Sequence, residues 1–171
     1  RQAEAIAAWS GYVERYPDPL DPAMEARSRL ADLHGERGDP AGRLRWLQAI
    51  VDANGSAAQG TDRSRTLAAR SAVELADVKR HAYEALALSA PLEETLPAKK
   101  ASMEAALESY GLAAEYGIAE VVTQATYRIA QVYRDFGAAL MESERPAGLD
   151  AEALEQYEIL LEEQAFPFEE Q

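Results

Sequence analysis

Cysteine does not occur in the 171 residues of this chain. Its absence excludes disulfide cross-links, thiolate metal ligands and cysteine nucleophiles. Only two histidines are present, and a metal site needs three or four converging ligands. Glycine and proline are sparse and bunched, and β-branched residues rarely run together. No alternating run survives beyond a few residues, so strand signals are missing too. No apolar stretch approaches the roughly 18 residues that mark a bilayer span. Positive charge is also short: 17 Lys and Arg stand against 30 Asp and Glu, for a net charge of −13. Such a surface repels phosphate backbones and sets nucleic acid aside as a partner.

Alanine is what the chain has in plenty, and with Leu, Glu and Arg it favours helix nearly throughout. The expected fold is all-α, a single domain over 1–171. A first helix over 2–16 carries Ala5, Ile6, Trp9, Tyr12 and Val13 on one face. Prolines 17, 19 and 22 break it, and Asp21 is expected to cap the next helix with Pro22 at its first position. That helix runs to about residue 37 and presents Met24, Arg27, Leu30, Ala31 and His34. After the Gly38-Asp39-Pro40 turn, Asp39 caps a third helix to about residue 53, with Leu44, Leu47, Ile50 and Val51 inward. Residues 54–62 read as a loop.

The period then lengthens. Helices over 63–88 and 92–116 form a long hairpin. The first carries Ala69, Ala72, Val73, Ala76, Tyr83 and Leu86. The second carries Leu96, Lys99, Met103, Ala106, Leu107, Tyr110 and Ala113. Pro97 suits a helix start, which leaves 92–96 as a separate turn. Residues 120–165 supply a last hairpin, with helices over 120–144 and 150–164 and a polar loop between them. Its faces are Ile129, Ala130, Tyr133, Phe136, Gly137 and Leu140, then Ala153, Leu154, Tyr157, Leu160 and Leu161. Residues 166–171 read like the start of a further helix. With no Met ahead of Arg1, the stretch is expected to be a piece of a longer protein whose export signal, if any, lies outside it.

Four stretches share one internal spacing. Ala5, Trp9, Tyr12 and Pro17 are repeated by Arg43, Leu47, Ile50 and Gly55, by Ala106, Tyr110, Ala113 and Ile118, and by Ala153, Tyr157, Leu160 and Ala165. A small residue, a large one a turn later and an apolar one beyond describe the packing face of a short helix, ended by a breaker. In this the sequence resembles the tetratricopeptide repeat family. Ala5, Trp9, Tyr12 and Pro17 are similar to that family's second helix. Arg27, Leu30, Ala31 and His34 resemble its first helix, as do Thr126, Ile129, Ala130 and Tyr133. Gly38 and Gly137 take the place of its inter-helix glycine. The resemblance covers 1–55 and 120–165 well and the long middle hairpin poorly. It implies a solenoid of stacked hairpins, a right-handed superhelix whose concave side holds a peptide or partner helix. Residues 155–170 are similar to bacterial repeat proteins encoded beside TonB/Tol-type envelope systems, which tilts the expected location toward the periplasm over the cytoplasm.

Chemistry-bearing residues are few. His34, near Asp32, sits where a core or boundary aromatic is usual. His81 and Glu84 are three residues apart, too few for a metal site. The pairs Glu93-Glu94, Glu162-Glu163 and Glu169-Glu170 point about 100° apart on a helix and cannot share a proton. No serine stands in a nucleophile elbow, and Ser10-Gly11 falls inside a helix. Expected, therefore, is a non-catalytic chain without cofactor or metal. Tyr110, Tyr133 and Tyr157 read as core filling, and Trp46 as partly exposed packing.

Partner-binding candidates are first-helix positions that the packing seam does not need. In the last hairpin these are Gln124, Tyr127, Arg128, Gln131, Arg134 and Asp135. In the second they are Glu25, Ser28, Arg29 and Asp32. Arg128 and Arg134, on successive turns, suit clamping carboxylates of a peptide; the alternative is that they neutralise the acidic final helix. The expected function is a protein- or peptide-binding scaffold. A structural module that self-associates, as a homodimer for instance, comes second, and a small-molecule enzyme third.

Overall fold

The computed structural model describes residues 1–57 and 60–169. Among them the chain is all α and contains no strand. Seven helices follow in order: α1 (Gln2–Arg15), α2 (Leu20–Glu36), α3 (Pro40–Ser56), α4 (Asp62–Glu84), α5 (Leu92–Ala114), α6 (Ala119–Met141) and α7 (Ala151–Glu169). None of the described helices is long and apolar enough to cross a membrane. The chain divides into two compact units, one of Arg1–Ala76 with Leu112–Val122, the other of Asp77–Gly111 with Thr123–Gln171.

In the first unit α2 packs on both α1 and α3. Its alanines explain why it reaches two neighbours: Ala23, Ala26 and Ala31 are buried beside Met24, Leu30 and Leu33, and a methyl lets backbones approach closely. Val13, Ala26 and Leu30 form one cluster, edged by Ile6, Tyr12 and Trp46. Met24, Ile50 and Ala68 form another, edged by Leu20, Leu67 and Tyr116. Burying Met24, Leu30 and Ile50 contributes about 1.5–3 kcal/mol each. The α2–α3 turn is stated in the sequence residue by residue. Gly38 takes φ 74°, the left-handed region where a side chain is strained. Asp39 caps α3 by accepting from the Gly42 N–H at 2.8 Å, and Pro40 fills the first turn.

In the second unit Tyr83 of α4, Met103 of α5, Val132, Phe136 and Leu140 of α6 and Ala165 of α7 form one core. Phe168 meets Phe136 edge to face, centroids 4.8 Å apart. Lys99 is only 5% exposed. Its ammonium donates to the carbonyls of Tyr83 at 3.0 Å and Leu86 at 2.7 Å, and lies 4.0 Å from the Tyr83 ring centroid. Burial holds its pKa below the usual lysine range.

Several element ends differ from the sequence reading. Asp21 is not the cap of α2, which starts one residue earlier at Leu20; the Asp21 carboxylate accepts from the Thr61 hydroxyl at 2.6 Å instead. Gly55 does not break α3, because the Ser56 hydroxyl bonds back to the Asp52 carbonyl at 2.9 Å and the helix runs to Ser56. Of the expected loop, Ala58 and Gln59 lie outside the described residues, as does Glu170 of the last acidic pair. Pro97 lies inside α5, not at its start. Gly137 is in the interior of α6 and buried. The glycine with φ 87° near that hairpin's turn is Gly148. No new helix begins after Ala165, since α7 continues through Pro167. The Asp150 carboxylate caps α7, accepting from the Ala153 N–H at 2.9 Å.

Candidate functional site

The α6 candidates form a hydrogen-bonded chain along one face of the second unit. Tyr127, Arg128 and Gln131 meet because three- and four-residue steps on a helix return to the same side. Gln131 Nε2 donates to the Tyr127 hydroxyl at 3.2 Å, and Arg128 Nη1 donates to Gln131 Oε1 at 2.8 Å. Tyr127 is 60% exposed, a large ring presented to solvent beside a held guanidinium. Gln124 is exposed one turn earlier.

Among the described residues, Arg128 and Arg134 pair with carboxylates outside the final helix. Arg128 Nε stands 3.7 Å from Asp77 Oδ1 of α4. Arg134 forks onto its neighbour Asp135, with Nη2 3.0 Å and Nε 3.2 Å from Oδ1. Arg145 does reach α7, 3.6 Å from Glu158. Distance along the sequence hid Asp77, which lies on another helix.

Asp77 is the centre of the wider network. The Tyr110 hydroxyl donates to its Oδ1 at 2.5 Å, and Arg80 Nε stands 3.6 Å away. Arg80 also pairs with Glu84, and its Nη2 is 3.0 Å from His81 Nε2. Two guanidinium groups and a phenol thus converge on one carboxylate. Tyr110 is wholly buried. Burial, then the Asp77 carboxylate, push its pKa up from the ordinary value. Nε of Arg80 and Nε of Arg128 are both buried without a hydrogen-bond partner. Both face the Asp77 carboxylate at ion-pair distance, just beyond hydrogen-bond reach. Sequence reasoning placed Tyr110 in the core and did not foresee its polar end.

The α2 candidates belong to the first unit and are occupied by ion pairs. Glu25 accepts from Arg63. Arg29 is 3.5 Å from Glu36, and Asp32 is 3.5 Å from Arg43. Arg43 also binds Glu74, the contact that raises its pKa most. Ser28 is half-buried. Such exposed pairs are worth about 0–1 kcal/mol each and exchange readily with a partner's charges.

His34 is buried, and Nδ1 lies 2.7 Å from Asp39 Oδ2, while Asp32 pairs with Arg43. Among the described residues no three His, Asp or Glu side chains are grouped to hold a metal ion. Set against protein-family models, curated proteins and solved structures, the chain matches none of them.

Proposed function

We propose that this all-helical chain is a non-catalytic scaffold of the tetratricopeptide-like solenoid kind, which binds a protein or peptide through the α6 face. The observation that carries this reading is Arg128, fixed by Gln131 and Asp77 beside the exposed Tyr127 ring. A pre-positioned guanidinium loses little freedom when it engages a carboxylate, and an exposed aromatic supplies contact area at low entropy cost. The turn at Gly38-Asp39-Pro40 and the buried Ala106, Tyr110 and Ala113 face support the repeat assignment.

The partner chemistry that fits is an acidic residue or free C-terminus next to an apolar side chain. An array of peptides in free-acid and amide forms tests it, with wild type against R128A/R134A and Y127A. Loss of the free-acid preference in R128A/R134A is expected. Equal binding of every peptide by both proteins removes the site.

A second reading is self-association, favoured by Ile159, Leu160 and Phe166 of α7, which are half or more exposed. Light scattering separates the two readings. A stable dimer that L160E/F166E dissolves supports self-association, and a monomer at all concentrations rejects it.

A further inference from the structure

We propose that the first unit carries a binding cavity for a small zwitterion, an apolar molecule bearing a carboxylate at one end and a protonated amine at the other. The cavity measures about 730 Å³ and lies among the Pro17–Leu20 connection, α2 and the end of α3. Small-molecule sites span about 300–1,000 Å³.

Three charged side chains line it: Arg27, Asp18 and Asp52. Among the described residues the Arg27 guanidinium takes part in no ion pair and no hydrogen bond, and its Nη1 is buried without a partner. Burial pulls its pKa down. A buried guanidinium nitrogen left without an acceptor is costly, and ordinary packing would supply one. Two carboxylates border the same cavity, yet neither lies within ion-pair distance of it. Asp18 has no partner either among the described residues, and Asp52 uses Oδ1 to accept from Gln48 at 2.8 Å. Among the described residues, opposite charges thus border one cavity without pairing with one another. Leu20, Ala49 and Ala53 add apolar surface.

A bridging zwitterion satisfies all of this at once. Its carboxylate takes the free donors of Arg27, its ammonium takes Asp18 or Asp52, and its apolar body covers Leu20 and the alanines. None of the α6 residues is involved, so the proposal does not rest on the scaffold reading.

Leucyl-leucine is the probe, compared by calorimetry with leucyl-leucine amide and N-acetyl-leucyl-leucine. Charge-assisted hydrogen bonds in a part-buried site set the scale. The amide and the Arg27→Met variant should each bind at least about tenfold more weakly. Acetylation, or D18N/D52N, should weaken binding by a similar factor. R128A/R134A should bind the free dipeptide as wild type does. No heat with leucyl-leucine, equal affinity for the amide, or unchanged affinity in Arg27→Met overturns the proposal. Should Arg27→Met lose its helical circular dichroism, the amide and acetyl probes decide alone, since they need only wild type.

Discussion

His34 Nδ1 and Asp39 Oδ2 lie 2.7 Å apart across the α2–α3 turn, while the other Asp39 oxygen caps α3. One carboxylate therefore ties the end of one helix to the start of the next. The Gly42 N–H, then the His34 ring, hold the Asp39 pKa below its ordinary value.

A depressed carboxylate adds stability that is present above its unfolded pKa, about 4, and lost as pH falls through the lower folded value. Asp39→Asn keeps a capping oxygen but cannot titrate. In urea titrations across the acid range, wild type should lose stability more steeply below about pH 4 than Asp39→Asn does. Parallel curves would show that Asp39 is not linked to the acid transition.

Gly42 stands where these groups leave no space. A Cβ there would collide with His34 Nδ1 and with Asp39 Oδ2. Alanine is ordinarily the better helix residue by up to about 1 kcal/mol. At this position Gly42→Ala should destabilise by about 1–3 kcal/mol, because the imidazole and the cap must both move. Gly11→Ala, where nothing lies within 4 Å, should instead stabilise; chemical denaturation of both variants checks the contrast.

Tyr110 reports on the alkaline side. Burial first, then Asp77, raise its pKa, and burial raises that of Tyr83 as well. A raised pKa gives stability that is full below the unfolded value near 10 and lost as pH climbs toward the folded one. The alkaline loss should be shallower in Tyr110→Phe than in wild type. At neutral pH that variant forfeits a hydrogen bond to a charged acceptor, about 1.5–3 kcal/mol. Tyr110→Ala should cost about 3–5 kcal/mol.

Neighbouring leucines on α7 should behave unlike one another. Leu161 is buried, while Leu160 is 57% exposed. Leu161→Ala should cost about 2–5 kcal/mol and Leu160→Ala less than about 0.5 kcal/mol, read by thermal and urea unfolding.

That leucine pair also marks the limit of what periodicity specifies on α7. The expected face takes in both leucines and the shared spacing adds Ala165; Leu161 and Ala165 are buried as expected, whereas Leu160 is exposed. Tyr157 is half-buried, and its hydroxyl is buried without a partner. Trp9, expected to pack, is 39% exposed. Within α6 the expected stripe included Ala130, which is exposed, while Val121, Ala125 and Val132 were missed though buried. Periodicity locates a helix well. When alanines and β-branched residues surround it, however, several stripes compete at nearly equal hydrophobicity.

The α3 cap and the burial on α2 and α5 are legible because distinctive residues carry them. Asp39 before Pro40 signals a helix start, and Met24, Leu30, Met103 and Tyr110 are large apolar groups at helical steps. The candidate site was legible in part. Tyr127, Arg128 and Gln131 are neighbours by helical geometry alone, whereas Asp77 and Arg80 join them only through tertiary packing. Arg27 was read as inward-facing, but nothing in the sequence signals that it would lack a counter-ion.

The Lys99 ammonium has one further consequence. It seats itself on carbonyls 16 and 13 positions upstream, just where α4 gives out. The end of that helix is therefore capped in part from a different one. A peptide of α4 alone should fray further at this end, because the Tyr83 and Leu86 carbonyls lose the ammonium that α5 supplies.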